Sequence, residues 1–200
     1  MKIILASKSP RRREILSQLG LKFEIIVSDT DENTDIKDPS HLVRELALKK
    51  GRAVRDLLAS KGEDLSDTLI ISSDTVVYCD GEILGKPADR ADAKRMLKSM
   101  SGRAHTVYTG IAAIYAGREA ADVSETEVFF ARMSESEIEG YLNTAEYADK
   151  AGAYAVQGGA SLFIEGIKGD YFTVVGMPVR KLSELLGREF GINLPVLCGL

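Results

Sequence analysis

Residues 2–20 read KIILASKSPRRREILSQLG, and two kinds of secondary structure meet within this stretch. The apolar run over residues 2–6 predicts a short buried strand. Ser9 and Pro10 are the pair typical of a helix N-cap followed by the first helical residue. Apolar residues then recur at helical spacing up to Gly20, which favours a helix end. A buried strand that leads directly into an amphipathic helix predicts an α/β fold.

The same alternation continues through the first half of the chain. Residues 23–27 predict a second strand, and Asp38 predicts the start of a long helix with apolar residues at helical spacing as far as Leu58. The next strand is expected to turn at Asp80-Gly81, a favoured hairpin dipeptide. Residues 89–100 predict another helix.

The second half is richer in strand signals. The runs over residues 105–115 and 121–131 predict a long hairpin, and Ser134 begins a capping-box pattern that predicts a helix. Residues 160–164 and 172–175 predict a further pair of strands. Pro178 predicts the start of a C-terminal helix.

Helical crossovers and hairpins therefore coexist in the pattern. We expect an α/β fold with a mixed β-sheet flanked by helices, organised as a single domain over residues 1–200. The sequence is also compatible with a second lobe within that domain.

Composition excludes several classes of protein. The 200 residues contain 26 basic and 30 acidic side chains, a net charge of −4, which disfavours a duplex nucleic-acid binder. Two cysteines and two histidines are too few for a disulfide scaffold, a zinc ribbon or a histidine-built metal site. Any chemistry is expected to rest on carboxylates, lysines, arginines and hydroxyls.

Apolar runs are short throughout the sequence. The most apolar internal stretch, residues 111–116, is far below the ~20 residues of a membrane helix. The apolar run over residues 3–6 is too short for the core of a signal peptide. We therefore expect a cytoplasmic protein without a membrane partner.

The loop between the first strand and the first helix is rich in donors. It carries Ser7 and Ser9 and then three arginines, Arg11, Arg12 and Arg13. Cations at a helix N-terminus oppose the macrodipole, whereas a bound polyanion would remove that conflict and use the backbone N–H groups as well. The pattern is consistent with a phosphate site. The alternative is a solvated basic face with an ordinary serine cap.

Carboxylates follow two of the predicted strands. Asp74 lies where an apolar strand becomes polar, and Asp31 and Glu32 follow the second strand in the same way. Two such carboxylates brought together could hold Mg²⁺. Each cluster taken alone is also compatible with a solvated turn. Lys50 and Lys86 are candidate cations for such a site, although a lone lysine is usually surface.

Two later loops also place polar groups beside glycines. Arg103 follows Gly102 before a strand, and Gln157 precedes Gly158-Gly159. Glycine lets a ligand approach the backbone, and the Gln157 amide could read the edge of a base. The alternative for Gln157 is a hydrogen bond within its own loop.

Six motifs in order resemble a known family. They are Leu5-Ala6-Ser7-Lys8-Ser9-Pro10-Arg11-Arg12, Ser73-Asp74-Thr75-Val76-Val77, Gly85-Lys86-Pro87, Ser101-Gly102-Arg103, Asp149-Lys150-Ala151-Gly152-Ala153-Tyr154, and Gly169-Asp170-Tyr171 with Gly176-Met177-Pro178. The series resembles the Maf family of nucleoside triphosphate pyrophosphatases, in the inosine triphosphate pyrophosphatase superfamily, over roughly residues 3–186.

The resemblance implies a fold and an activity. The fold is an elongated α/β structure with a mixed sheet and a cleft between two lobes, in a homodimer. The activity is hydrolysis of a nucleoside triphosphate to the monophosphate and pyrophosphate, as nucleotide-pool housekeeping. The cofactor is Mg²⁺, with Mn²⁺ or Co²⁺ as alternatives. No stable nucleic-acid complex is expected.

The resemblance also implies roles for single residues. Asp74 matches the proton acceptor that activates water, and Glu32 matches a metal-binding carboxylate, with Asp74 as a second metal ligand. Lys50 and Lys86 match lysines beside the triphosphate. The remaining matches are substrate-binding positions: Ser7, Ser9, Arg11 and Arg12 of the phosphate loop, and Arg103.

Substrate choice is implied by three further matches. Arg11, Thr75 and Gln157 correspond to the specificity positions of the branch that acts on dTTP and UTP, whereas the 7-methyl-GTP branch tends to carry Glu where Gln157 stands. Ser73 stands where alanine is often found, and Asp31 beside Glu32 leaves open which carboxylate meets the metal.

Two other functions compete with this interpretation. One is a nucleotide-binding regulator of cell division that needs no catalysis. The other is a phosphohydrolase that releases orthophosphate.

Overall fold

The computed structural model describes residues 1–200 and contains seven strands and seven α-helices. The strands are β1 (Lys2–Leu5), β2 (Glu24–Ile25), β3 (Thr68–Cys79), β4 (Glu82–Leu84), β5 (Ala104–Tyr115), β6 (Arg118–Phe130) and β7 (Ile164–Lys168). The helices are α1 (Pro10–Gln18), α2 (Pro39–Ser60), α3 (Arg90–Met100), α4 (Glu135–Leu142), α5 (Tyr171–Val175), α6 (Val179–Phe190) and α7 (Leu194–Leu197). Two 3₁₀ turns cover Ala151–Ala153 and Gly159–Phe163.

All seven strands belong to one mixed sheet. Their order is β2-β1-β3-β5-β6-β7, and β4 pairs with β3. Strand β1 runs parallel to both of its neighbours, with Ile4 opposite Ile70 of β3. Strands β4 and β7 run antiparallel to β3 and β6 respectively. The predicted α/β fold with a mixed sheet is confirmed.

The chain divides into two compact units. The first contains Met1–Asp74, Thr109–Ser124 and Gly176–Leu200, and the second contains Thr75–Tyr108 and Glu125–Val175. The single domain over residues 1–200 stays a prediction. None of the helices is both long and apolar enough to cross a membrane.

Helix α2 packs on the sheet of the first unit. Asp38 caps it by accepting a hydrogen bond from the His41 backbone at 2.7 Å, as its sequence predicts. Its apolar face joins a buried cluster with three strands: Ile4, Ala6, Val54, Leu58, Ile70 and Ile114. A Cβ at Gly51 would lie only 2.9 Å from Ser72 Oγ of β3. Glycine therefore allows the close approach of α2 to the sheet.

Local turn signals are confirmed at three places. Asp80 and Gly81 adopt positive φ angles of 49° and 84° between β3 and β4, as a type I′ hairpin turn requires. Ala116 and Gly117 do the same between β5 and β6, with φ angles of 49° and 73°. Ser134 begins α4 with the complete capping box.

The predicted strand pair after residue 159 is wrong. Residues 159–163 form a 3₁₀ turn, the strand covers Ile164–Lys168 instead, and Tyr171–Val175 is a short helix. Asp170 explains the helix, because its carboxylate accepts from the Phe172 backbone at 3.0 Å and from Thr173 Oγ1 at 3.3 Å. This local capping outweighs the β propensity of an FTVV sequence.

Candidate active site

The loop between β1 and α1 is organised by Ser7. Its hydroxyl accepts hydrogen bonds from the Ser9 backbone and from Arg12 Nη1, each at 3.2 Å, and the residue is only 7% exposed. Ser9 occupies the N-cap position of α1, but its side chain makes no capping hydrogen bond. Ser9 therefore differs from the predicted ordinary cap, because the buried Ser7 oxygen, and not Ser9, organises this turn.

Arg12 reaches from α1 to two other segments of the first unit. Its Nη1 donates to the Ser73 carbonyl at 2.6 Å, and its Nε donates to the Gly176 carbonyl at 2.9 Å. Desolvation lowers the pKa of the Arg12 guanidinium below its ordinary value, although Asp74 and Glu32 oppose that shift. An arginine remains cationic despite such a shift. Arg12 thus links the phosphate-loop sequence to the residue before Asp74.

Asp74 lies in the middle of β3, and its side chain is 10% exposed. Lys50 of α2 contacts it, with Nζ 2.5 Å from Asp74 Oδ1. The same Nζ lies 2.9 Å from Glu32 Oε1. Three residues far apart in sequence are thus brought together as carboxylate, ammonium and carboxylate.

The position of Lys50 follows from the residue beside it. Gly51 lets α2 approach β3 within a distance that a methyl group would obstruct, and Ser72 Oγ of β3 donates to the Ala47 carbonyl of α2 at 2.7 Å. The lysine stem therefore starts close to the strand that carries Asp74. The glycine that interrupts the helical sequence pattern places the lysine at the site.

The donor set is compatible with a magnesium ion. Mg²⁺ is commonly bound through one or two carboxylates together with substrate phosphates and water. Glu32 and Asp74 are two carboxylates that meet at one cation, Lys50 Nζ. No group of three or more His, Cys, Asp or Glu side chains is arranged as a metal site. The chain would thus supply two ligands, and substrate and water the others.

Asp31 and Glu32 have different surroundings. The Asp31 carboxylate accepts a hydrogen bond from the Asn33 backbone at 3.0 Å, as in a local turn. The Glu32 carboxylate instead reaches Lys50. The geometry favours Glu32 as the carboxylate that shares a site with Asp74.

The other predicted site residues lie in the second unit, apart from the half-buried Arg11 of α1. Thr75 follows Asp74 directly in β3. Lys86 and Gln157 are both exposed. Arg103 forms an ion pair with Asp80 of the β3–β4 turn. The roles given to these residues by resemblance stay predictions.

The segment that carries Gln157 is held by buried polar contacts. Gly152, with a φ of 68°, donates its N–H to the Gly85 carbonyl at 3.0 Å, which ties the segment to the loop of Lys86. Tyr141 accepts from the Ala155 backbone at 3.1 Å. These bonds fix the backbone on the N-terminal side of Gln157.

His105 and Tyr154 add an aromatic anchor to this segment. The Tyr154 hydroxyl and His105 Nε2 are 2.9 Å apart, and both rings pack edge-on against Phe130. Burial lowers the pKa of His105 to about 4, so it is neutral at pH 7. His105 Nδ1 is a buried atom without a hydrogen-bond partner. A strand-forming sequence gives no signal for this contact, and His105 is only 3% exposed.

Two residues of the site escape prediction from their own sequence. Gly176 is one, because only its carbonyl takes part, accepting from Arg12 and from Ser73 Oγ. Ser73 is the other, since it stands out only as a departure from alanine in the resemblance.

Comparison with known proteins identifies the family of this chain. The family model described as Maf-like protein matches residues 2–189. The chain belongs to the Maf-like protein family. The match includes the loop after β1, the middle of β3 and the segment of Gln157, and so contains all the predicted site residues.

Relatives within the family cover nearly the whole chain. A dTTP/UTP pyrophosphatase from Caldanaerobacter subterraneus subsp. tengcongensis is 48% identical over 195 residues, which are 96% of this chain and 91% of that protein. A protein of the same name from a Thermoanaerobacter species is 46% identical, over 97% of this chain and 100% of that protein. Another, from Bacillus anthracis, is 43% identical, over 96% of this chain and 97% of that protein. Among solved structures, the Staphylococcus aureus Ham1 protein has a TM-score of 0.47 at 13% identity, over 66% of this chain and 72% of that chain.

Proposed function

We propose that this chain hydrolyses dTTP and UTP to the monophosphate and pyrophosphate. Relatives at 43–48% identity over at least 96% of the chain are named for that activity. The observation that carries the proposal is the contact of Asp74 and Glu32 with the Lys50 ammonium inside the first unit. A protein that only bound an anion would need cations and would not need two converging carboxylates.

Asp74 is the residue to which we assign the proton transfer. An attacking water forms a bond from its oxygen to the α-phosphorus, and its proton passes to the Asp74 carboxylate. The bond from the α-phosphorus to the oxygen that bridges to the β-phosphorus breaks, and the electron pair leaves with pyrophosphate. Asp74 is suited to this role because its side chain is largely buried and held by Lys50 on the sheet.

Cations of the chain would neutralise the substrate and the leaving group. Lys50 lies beside the Asp74 carboxylate, and Ser7, Ser9 and Arg11 lie in or just before the first turn of α1, whose backbone dipole also favours anions. Mg²⁺, with Mn²⁺ or Co²⁺ as alternatives, would be held by Glu32 and Asp74 and would stabilise negative charge on the phosphate oxygens. Such preorganised charge is the main requirement of phosphoryl transfer.

In this scheme the Lys50 ammonium can pair either with the two carboxylates or with the triphosphate. Its ammonium contacts both carboxylates that would hold the metal ion. A bound triphosphate supplies other oxygens for the Lys50 ammonium. A metal ion that binds at the same time can then take the place of Lys50 beside Glu32 and Asp74, and each charged group keeps a partner. We therefore infer that the metal ion binds more tightly with nucleotide than without it.

We assign base selection first of all to Gln157. Gln157 presents an exposed amide on a segment fixed by buried hydrogen bonds, which suits a residue that reads the edge of a base. Thr75 and Arg11 are proposed as the other specificity positions. Lys86 and Arg103 are proposed to contact the substrate. Arg103 would then leave its ion pair with Asp80 and pair with the substrate instead.

A nucleotide panel tests the proposal. Purified protein with Mg²⁺ is offered dTTP, UTP, CTP and GTP, and pyrophosphate and orthophosphate are measured separately. The proposal predicts pyrophosphate from dTTP and UTP, and none without a divalent cation. Orthophosphate as the first product would favour the phosphohydrolase, and nucleotide binding without any product would favour the regulator. Sedimentation of the same sample tests the homodimer, and fractionation of cells tests the location in the cytoplasm.

A further inference from the structure

Three segments of the first unit meet at the Arg12 guanidinium. Nη1 donates to Ser7 Oγ at 3.2 Å and to the Ser73 carbonyl at 2.6 Å, and Nε donates to the Gly176 carbonyl at 2.9 Å. These partners lie after β1, within β3 and before α6. One side chain thereby links the phosphate-loop sequence, the strand of Asp74 and the start of the last long helix.

Ser73 strengthens the same junction. Its side chain is fully buried, and its Oγ donates to the Gly176 carbonyl at 2.9 Å. That carbonyl thus accepts from both Ser73 and Arg12. Gly176 has a φ of 103°, a conformation that side-chain-bearing residues rarely adopt, so its glycine is needed to aim the carbonyl at the two donors.

The Ser73 carbonyl belongs to the peptide group that continues into Asp74. Any rotation of this peptide moves the Asp74 backbone and hence its carboxylate. Two hydrogen bonds restrain it, one to the carbonyl from Arg12 and one from the Ser73 hydroxyl to Gly176. A charge-assisted hydrogen bond of 2.6 Å is among the stronger restraints available to a backbone carbonyl.

We propose that Arg12 is a positioning residue for Asp74, with Ser73 and Gly176 as its partners. The inference rests on the proposed function, and it departs from the phosphate-loop role that the resemblance gives Arg12. Nε and Nη1 are directed at main-chain carbonyls and a serine hydroxyl, so these nitrogens are not aimed at a phosphate.

The experiment compares turnover with binding. Arg12→Lys and Ser73→Ala are assayed for kcat and KM with dTTP, and their affinities for an α,β-imido analogue of dTTP are measured by calorimetry. A misplacement of about 1 Å at a reacting group can cost about 100-fold in rate. Arg12→Lys is expected to lower kcat about 100-fold and Ser73→Ala about tenfold, with analogue affinity within about threefold of wild type.

A double variant and a surface control complete the design. Because Arg12 and Ser73 share the Gly176 carbonyl, the loss of kcat in the double variant is expected to be smaller than the product of the single losses. Arg180→Lys alters an exposed arginine of α6 that pairs with Glu184 and is expected to leave kcat and affinity unchanged.

Two outcomes would overturn the inference. A large loss of analogue affinity in Arg12→Lys, with kcat maintained, would make Arg12 a phosphate ligand. A lower melting temperature with unchanged kcat and KM would make the junction merely structural. If Arg12→Lys does not fold, Ser73→Ala decides alone, since it removes only a hydroxyl. If wild type releases no pyrophosphate, the proposed function fails separately, and loss of affinity for the analogue still refutes positioning.

Discussion

Replacing Gly51 by alanine adds one methyl group where α2 crosses β3. The new Cβ would lie 2.9 Å from Ser72 Oγ and 3.3 Å from Ile114 Cδ1, both closer than the 3.4 Å at which ordinary contact begins. Ser72 cannot turn away freely, because it is fully buried and its Oγ donates to the Ala47 carbonyl at 2.7 Å. The helix is therefore expected to move away from the strand.

Two opposing energies set the size of the effect. Alanine in place of glycine within a helix gains about 1 kcal/mol from backbone propensity. Overpacking a core by a methylene costs about 1–3 kcal/mol. The net change at Gly51 is then a loss of about 0–2 kcal/mol. The outward movement also separates Lys50 from Asp74, and displacement of a catalytic group can cost up to about 100-fold in rate. We expect kcat/KM for dTTP to fall by at least about tenfold.

The assay pairs Gly51→Ala with Gly140→Ala. Gly140 lies within α4, is exposed, and a Cβ there would meet no atom within 4 Å. Urea unfolding should show Gly140→Ala stabilised by about 0.4–1 kcal/mol with normal activity. Adding Ser72→Ala to Gly51→Ala should restore part of the lost activity. If Gly51→Ala were as stable and active as Gly140→Ala, the close approach of α2 would not be what places Lys50.

Three further substitutions test the roles of Asp74, Gln157 and His105. Asp74→Asn should lower kcat by at least about 1000-fold while calorimetry shows near-normal nucleotide affinity, and retained turnover would remove Asp74 as the base. Gln157→Glu should change the ratio of kcat/KM values among dTTP, UTP and GTP but not the Mg²⁺ dependence, and an unchanged ratio would exclude Gln157 from base selection. Because the pKa of His105 falls from 6.5 to about 4 on folding, the unfolded chain binds more protons in that range. Stability should therefore decline by up to about 3 kcal/mol as pH falls from about 6.5 to 4. Urea melts should show a flatter pH profile in His105→Phe than in wild type, whereas the exposed His41→Gln should keep the decline.

Much of the fold follows from local sequence signals. The N-cap of α2 at Asp38, the capping box at Ser134 and the turn at Asp80-Gly81 each depend on residues within a few positions of one another. Such signals survive folding because nothing distant competes with them. The segment after residue 159 shows the opposite case. There the Asp170 carboxylate caps a short helix, although the sequence that follows it has β propensity.

The candidate site was predictable to a different degree. Lys50, Asp74 and Glu32 come together in the structure, yet no spacing along the chain links them. Gly51, beside Lys50, lies where an added Cβ would come within 2.9 Å of Ser72 Oγ of β3. A packing distance between two elements is a tertiary property, so the sequence of either element alone does not contain it.

The part of the site that could not be predicted from the sequence depends on a main-chain group. The Gly176 carbonyl accepts from Arg12 and Ser73, and every residue has a carbonyl. Whether this carbonyl accepts these hydrogen bonds depends on the φ of 103° at Gly176 and on the path of the chain after α5. A phosphate-loop arginine that binds carbonyls therefore has the same sequence signature as one that binds phosphate.

Hydrolysis of dTTP in H₂¹⁸O shows directly which phosphorus the water attacks. Attack by water on the α-phosphorus places the heavy oxygen in dTMP and leaves pyrophosphate unlabelled, which mass spectrometry of both products resolves. The proposed reaction predicts labelled dTMP, unlabelled pyrophosphate and far less product from Asp74→Asn under the same conditions. Label in pyrophosphate, or orthophosphate released together with dTDP, would contradict it.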